Sequence, residues 1–257
     1  MAHNSTQGTI QSGRRLLRVV QALQELDGAT VTELADHFDM HRSHVHKYLK
    51  TLENSGYVNN DDGVYELSFL FITHGEYVRH RNRLCEVAQD RIEELGDRVE
   101  IVVKLSVRQG DHTIVVFSRN EEKMFSGKLM PGKKSYLHQT APGKAMLAEL
   151  SDEEISRYVQ ETGLPGRNEN TITDPDVLWE EVQSIRSREY AVSTGEWNAT
   201  INGVGVSIIS PDGTLGAINI CGPATGHPDD YLVDEYTGNL SQITSQIEHK
   251  LAQHVEA

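Results

Sequence analysis

Residues Val31–Val58 read VTELADHFDMHRSHVHKYLKTLENSGYV. Thr30 stands just before this stretch and Glu33 three residues on, the pattern of a capping box. Leu34, Ala35 and Phe38 recur at helical spacing and supply an inner face. Asp39-Met40 interrupts the run with a tight turn. A further helix is expected from about His41 to Asn54, with Val45, Leu49 and Leu52 inward and Ser55-Gly56 closing it. Two helices joined by so short a turn make a unit in which the first braces the second.

Upstream, Ser12 can cap a helix whose apolar positions are Leu16, Leu17, Val20 and Leu23, with Leu26 near its end and Asp27-Gly28 as its stop. Downstream, Tyr57-Val58 and Val64–Leu67 are short strand-like runs separated by Asn59-Asn60-Asp61-Asp62-Gly63. Asp-Gly between strand formers signals a hairpin. Helix, helix, turn, helix, hairpin is the winged helix-turn-helix plan, expected over residues 11–70 after a disordered tail at 1–10. Its second turn-linked helix enters the major groove, where base edges distinguish all four pairs. The outer face of that helix carries His41, Arg42, Ser43, His44, His46, Lys47 and Lys50. With Thr30 at the bracing helix and Asn59 and Asn60 in the wing, these are the candidate DNA contacts. A solvated polar face is the bland alternative, but a local cluster of cations and histidines stands out in an acidic chain.

That acidity is marked: 24 Lys+Arg against 38 Asp+Glu give a formal net charge of −14 over 257 residues. Most of the acid excess follows residue 80, so the candidate DNA-binding region is nearly balanced. An acid-rich, lysine-poor composition fits a salt-adapted protein kept soluble by charge. At 37% hydrophobic residues the chain can bury a core, and its length suits two domains. No apolar run reaches a membrane span, and MAHNSTQGTI lacks the pattern of a signal peptide. Cys85 and Cys221 form no metal or redox spacing. A cytoplasmic setting is expected.

Residues 71–96 read as one linker helix containing Arg79, Arg81 and Arg83. From Val99 the period becomes strand-like, through Val99–Val107 and Thr113–Phe117 with a turn at Arg108–Asp111. Helices are expected near 142–149, 152–161 and 174–189, capped in the last two by Asp152 and Asp174. Strands Val204–Ile209 and Leu215–Ile220 flank Ser210-Pro211-Asp212-Gly213, and a final helix covers about 229–253. Adjacent strands joined by tight turns imply an antiparallel sheet with packed helices over residues 97–257, a fold able to hold a small ligand. The whole chain is thus α+β.

Other chemistries fit less well. Gly127–Lys134 follows a phosphate-binding loop until its last position, where Lys134 replaces the magnesium-holding Ser or Thr. His41, His44 and His46 have no carboxylate or cysteine at zinc-ligand spacing. No Gly-x-Ser-x-Gly elbow is present. Neither catalysis nor a cofactor or metal is expected. A sensor acting through protein contacts, its winged domain used for dimerisation, is the alternative from another class.

Four stretches in sequence order resemble the IclR family of transcriptional regulators, covering about residues 10–254. VTELADHF with HRSHVHKYLKTLENSGYV is similar to the family's DNA-binding motif. HQTAPGKAMLAEL resembles its H-A-T-A-x-G-K-A-L-L segment. NTITDPDVLWEEVQSIRSREYAV resembles T-I-T-D…L-x-x-E-L-x-x-I-R-x-x-G-Y-A, and GAINICGPA resembles A-L-S-V-S-G-P-A. The resemblance implies a winged domain plus a GAF-like sensor, and homodimers or dimers of dimers on palindromic double-stranded operators. It implies small-metabolite effectors such as organic acids, aromatic acids or sugar breakdown products. Family pocket positions fall on Ala141, Pro142, Ser193, Gly203, Asn219 and Cys221, and loosely on Met124 and Gly127. The chain departs from the pattern at Asp39, where the family has glycine, and at Arg42-Ser43-His44, where it has Lys-Ser-Thr. Ser193 replaces an acidic pocket residue, and Asn219 and Cys221 replace paired serines.

Overall fold

The computed structural model describes residues 10–120 and 131–253. The chain divides into two compact units at Val78/Arg79, inside the stretch expected as a linker. In the first, α1 (Gln11–Glu25), β1 (Ala29–Thr30), α2 (Val31–Phe38) and α3 (Arg42–Asn54) precede a hairpin of β2 (Val58–Asp61) and β3 (Val64–Leu67), and α4 (Leu70–His80) follows. The small antiparallel sheet has the order β1-β3-β2. Val19, Leu23, Leu34, Val45, Leu49, Leu52, Val58 and Tyr65 close one core. This is the expected winged helix-turn-helix.

Several local expectations change. Ile10, not Ser12, precedes the first turn of α1, and it makes no side-chain cap. Leu17 and Leu26 point outward, at 65% and 42% exposure, while Val19 and Ala22 take the core positions. Asn59 and Asn60 lie within β2 rather than in a loop, so the turn is only Asp62-Gly63, both with positive φ (47° and 91°). That two-residue turn matches the twist of the flanking strands. Asp39 adopts the left-handed conformation (φ 49°, ψ 52°) that its short polar side chain tolerates at the turn.

The expected single linker helix is two. α4 ends at His80, and Asn82 caps α5 (Arg83–Arg98), its Oδ1 accepting from the Cys85 N–H at 3.2 Å. A local side-chain cap outcompetes continuation of the apolar period. α4 buries no residue; Tyr57 fastens it, stacking on His74 and meeting Phe71 edge-on at 5.1 Å.

In the second unit, β4 (Val102–Gln109) and β5 (His112–Arg119) precede β6 (Lys134–Tyr136). Three helices follow: α6 (Ala141–Ala148), α7 (Asp152–Thr162) and α8 (Pro175–Arg188). β7 (Ala191–Thr194), β8 (Ile201–Ile209), β9 (Leu215–Pro223) and α9 (Asp229–Gln253) complete it. Ser151, not Asp152, caps α7, in a capping box with Glu154. The six strands form one antiparallel sheet ordered β6-β5-β4-β9-β8-β7.

Strand alternation gives this sheet two unlike faces. Val103, Leu105, Val204, Val206, Ile208, Ile218 and Ile220 pack against Leu84, Ile92, Leu232 and Leu240 of α5 and α9. The intervening residues are small or polar: Lys104, Ser106, Gly203, Gly205, Asn219 and Cys221. α6 lies against this second face. Gly205 permits the approach, since a Cβ there would sit 3.0 Å from the Pro142 nitrogen and 3.1 Å from the Ala141 carbonyl carbon. The α+β expectation holds for the whole chain.

Candidate DNA-contacting surface and ligand cavity

Three inward residues, Val45, Leu49 and Leu52, anchor α3. The complementary positions His41, Arg42, Ser43, His44, His46, Lys47 and Lys50 are all exposed. His41 is the residue before the first turn, and no side chain caps that turn. Its ring lies 6.4 Å from that of His44. Lys50 pairs with Glu53 at 2.9 Å, an exposed bridge that raises the lysine's pKa. Arg42 and Lys47 form no ion pair among the described residues.

The remaining members of the proposed contact set are placed differently. The Thr30 hydroxyl is engaged locally, accepting from the Glu33 N–H at 3.2 Å and donating to the Glu33 carboxylate at 2.9 Å. Asn59 and Asn60 are exposed, and the Asn60 Oδ1 accepts from the Gly63 N–H, bracing the wing tip.

In the second unit, Ala141, Pro142, Ser193, Gly203, Asn219 and Cys221 line a single cavity. The space reachable there by the centre of a water-sized sphere is about 80 Å³. Met124 and Gly127 lie outside the described residues. Register explains the assembly: Cys221 pairs with Val102 on one side and Gly203 on the other, and Gly203 pairs with Ser193. One row of the sheet thus supplies three lining residues. Asn219 pairs with Lys104 and Gly205 in a second row.

Sequence reasoning missed much of the wall. Lys104 and Ser106 come from β4, Thr113 and Val115 from β5, and Lys133 and Ser135 from the approach to β6 and its strand. Thr140, Trp197, Ile201 and Asn202 complete it. A signal existed in Val103-Lys104-Leu105-Ser106-Val107, where alternation sets the lysine and serine on the face opposite the core. Among the described lining residues, Lys104 and Lys133 carry charge and none is Asp or Glu.

Behind α6 lies a buried ion cluster. Lys144, 2% exposed, bridges Glu196 at 2.5 Å and Glu181 at 3.0 Å, and Arg188 reaches Glu181 at 3.1 Å. Burial pushes the Glu196 carboxyl above its ordinary pKa, against the pull of Lys144. Elsewhere in this unit His138 is fully buried and bonds the Tyr158 hydroxyl at 2.6 Å. Burial lowers its pKa, opposed by the hydrogen bond to the Pro165 carbonyl.

Residues 14–62 match the IclR helix-turn-helix domain, and residues 76–249 match the bacterial transcriptional regulator IclR C-terminal domain. This chain belongs to the IclR family of transcriptional regulators. The family assignment brings a DNA-binding helix-turn-helix and an effector-binding C-terminal domain. The HTH-type transcriptional regulator KipR of Bacillus subtilis is 28% identical over 223 residues, covering 85% of this chain and 89% of that protein. The crystal structure of Thermotoga maritima IclR is 27% identical, with a TM-score of 0.78 over 95% of this chain and 99% of that one. An IclR homologue from Microbacterium hydrocarbonoxydans, complexed with 4-hydroxybenzoate, shares the fold at 19% identity, with a TM-score of 0.72 over 93% and 99% of the two chains. No helix among the described residues is long and apolar enough to cross a membrane.

Proposed function

We propose that this IclR-family chain is a homodimeric, cytoplasmic transcription factor whose two α3 helices read the half-sites of a palindromic operator. A small anionic metabolite in the cavity sets its DNA affinity. The observation that carries the DNA reading is the outward face of α3, where Arg42, Ser43, His44, His46 and Lys47 stand exposed on a helix pinned from behind. A rigid rod with donors on one side fits the major groove. The uncapped first turn of α3 leaves backbone N–H groups for phosphate. The wing residues Asn59 and Asn60 face the flanking backbone.

Dimerisation is supported by the apolar surface of the first unit. Phe69 is 85% exposed, Val78 66%, Tyr77 63% and Ile72 57%, all on or beside α4. A cluster of that kind on one helix marks a protein contact. A dimer of dimers would repeat the arrangement on a second operator. Ligand entering the cavity favours one placement of the paired winged domains, and it shifts the balance only by its differential affinity for the two states. The two lysines among the cavity's described lining residues favour an anion. The acidic composition fits operation at high salt, where phosphate contacts weaken and base contacts carry more of the affinity.

The test is fluorescence anisotropy with the duplex upstream of the chain's own coding region, against random competitor, across a salt series. A specific complex whose logarithmic affinity falls linearly with logarithmic salt is expected. Equal affinity for random duplex throughout would leave α3 as a solvated face and favour action through protein contacts.

A further inference from the structure

We propose that α1 carries a second DNA contact, in which Arg14 and Arg18 hold the phosphate backbone beside the bases that α3 reads. This rests on the DNA-binding reading of α3 and extends it to a helix outside the helix-turn-helix. Charge in the first unit is sorted by element. Residues 1–78 contain six Lys and Arg, and all six stand on two helices: Arg14, Arg15 and Arg18 on α1, and Arg42, Lys47 and Lys50 on α3. Acids are kept off both surfaces. The first in the chain is Glu25, at the end of α1, and none stands between Asp39 and Glu53.

The stability of α1 does not account for its arginines. Cations near a helix N-terminus oppose its dipole, and like charges four residues apart repel. α1 begins at Gln11 and has no acid in its first turn, yet Arg14 stands there and Arg18 follows at that spacing. Both are exposed, and neither forms an ion pair or a side-chain hydrogen bond among the described residues. Packing does not require them either, since Val19, Ala22 and Leu23 supply the buried side of the helix. Two unpaired guanidiniums on one flank call for an anion, and their planar forks match phosphate oxygens.

Geometry ties the pair to α3. The Arg18 guanidinium carbon lies over the Phe38 ring, 5.0 Å from its centroid. Phe38 ends α2, and Arg42 opens α3 four residues later. The guanidinium therefore stands beside the turn that leads into the reading helix. α1 and α3 also share one core, with Val19 and Leu23 in the cluster that holds Val45 and Leu49. Stacking on the ring restrains the Arg18 side chain without using its N–H donors. Arg14 stands about 6 Å away along the helix axis, so each arginine can take its own phosphate. Phosphates are alike in every sequence, so the pair adds affinity and register without sequence preference.

The experiment is fluorescence anisotropy of full-chain variants on the upstream duplex and on random duplex, across a salt series. Arg14→Gln is expected to weaken both complexes by the same factor, roughly eightfold at about 0.1 M salt, and to lower the slope of logarithmic affinity against logarithmic salt by about 0.9. Arg14→Gln with Arg18→Gln should double the loss of slope. Arg18→Lys, which keeps the charge, should retain the slope and so separate phosphate contact from loss of the Phe38 stack. Preference for the upstream duplex should stay at the wild-type ratio in all three. Wild-type affinity and slope in the double variant, alongside weakened operator binding by Arg42→Ala, would overturn the α1 contact and leave α3 as the reader. A loss confined to the upstream duplex, with the slope unchanged, would overturn phosphate contact in favour of base reading by α1. Wild-type protein that prefers no duplex, with the slope still falling in the variants, would overturn operator reading and keep the phosphate contact.

Discussion

The outer face of α3 and the wall of the cavity are built on opposite plans. The first comes from ten consecutive residues, 41–50, whose contact positions follow from the helical period alone. The second is gathered from residues 104 to 221, contributed by six strands or their flanks and the start of α6. A surface made from one element tolerates substitution without unfolding, because its side chains touch nothing behind them. A cavity made from many elements shares each position with the packing that encloses it. The difference teaches where function and stability separate: they are separable on α3 and entangled around α6.

The strongest test of that contrast is Lys144→Ala. It leaves Glu196 and Glu181 without their buried cation and should cost about 3–5 kcal/mol, read as a lower urea midpoint of the second unit. Retention of wild-type stability would show that the cluster is not structural. On α3 the opposite pattern is expected. Arg42→Ala and Lys47→Ala should each weaken operator binding by about 10- to 100-fold with unchanged thermal stability and intact ligand response. Unchanged operator affinity in both variants would remove α3 as the reading helix. Ser193→Trp should sharpen the distinction from the other side. The indole fills the cavity, so the ligand-induced gain of about 2.7 kcal/mol expected at a hundredfold excess over Kd disappears while DNA binding persists. A normal response in that variant would move the ligand elsewhere.

The smallest effect concerns His138. Burial holds its folded pKa below the ordinary value of about 6.5, so the folded ring resists protonation that the unfolded chain accepts. Its contribution is present above that value and is lost as pH falls through it toward the folded pKa. Urea midpoints should therefore decline on acidification below about pH 6.5, and His138→Gln should flatten that decline by up to one proton's worth. An identical pH profile in the variant would assign the loss to other groups.

Legibility in the sequence followed the same division. The Thr30–Glu33 box, the inward triplet of α3 and the Asp62-Gly63 turn are local signals, and each appears in the structure. The break between α4 and α5 was missed because the apolar period runs across it while the stop depends on one Asn82 hydrogen bond. Leu17 differs from expectation because periodicity cannot say which of two adjacent leucines, Leu16 or Leu17, a core accepts, and Leu26 because α1 ends at Glu25, one residue before it. Ala141, Pro142, Ser193, Gly203, Asn219 and Cys221 follow from the resemblance, whereas Lys104, Thr113 and Trp197 join Asn219 in one wall only once strand order is known. Pairing of β4 with β9 joins residues more than a hundred positions apart, and no local pattern encodes it.

β8 threads two tasks through one strand, its odd residues Gly203 and Gly205 facing the ligand side and its even residues Val204, Val206 and Ile208 sealing the core. Deleting a single residue from it would exchange those roles along the rest of the strand. Descendants of this chain can therefore acquire a new effector by point replacement on the inner row, but insertions and deletions in that strand are closed to them as a route to new chemistry.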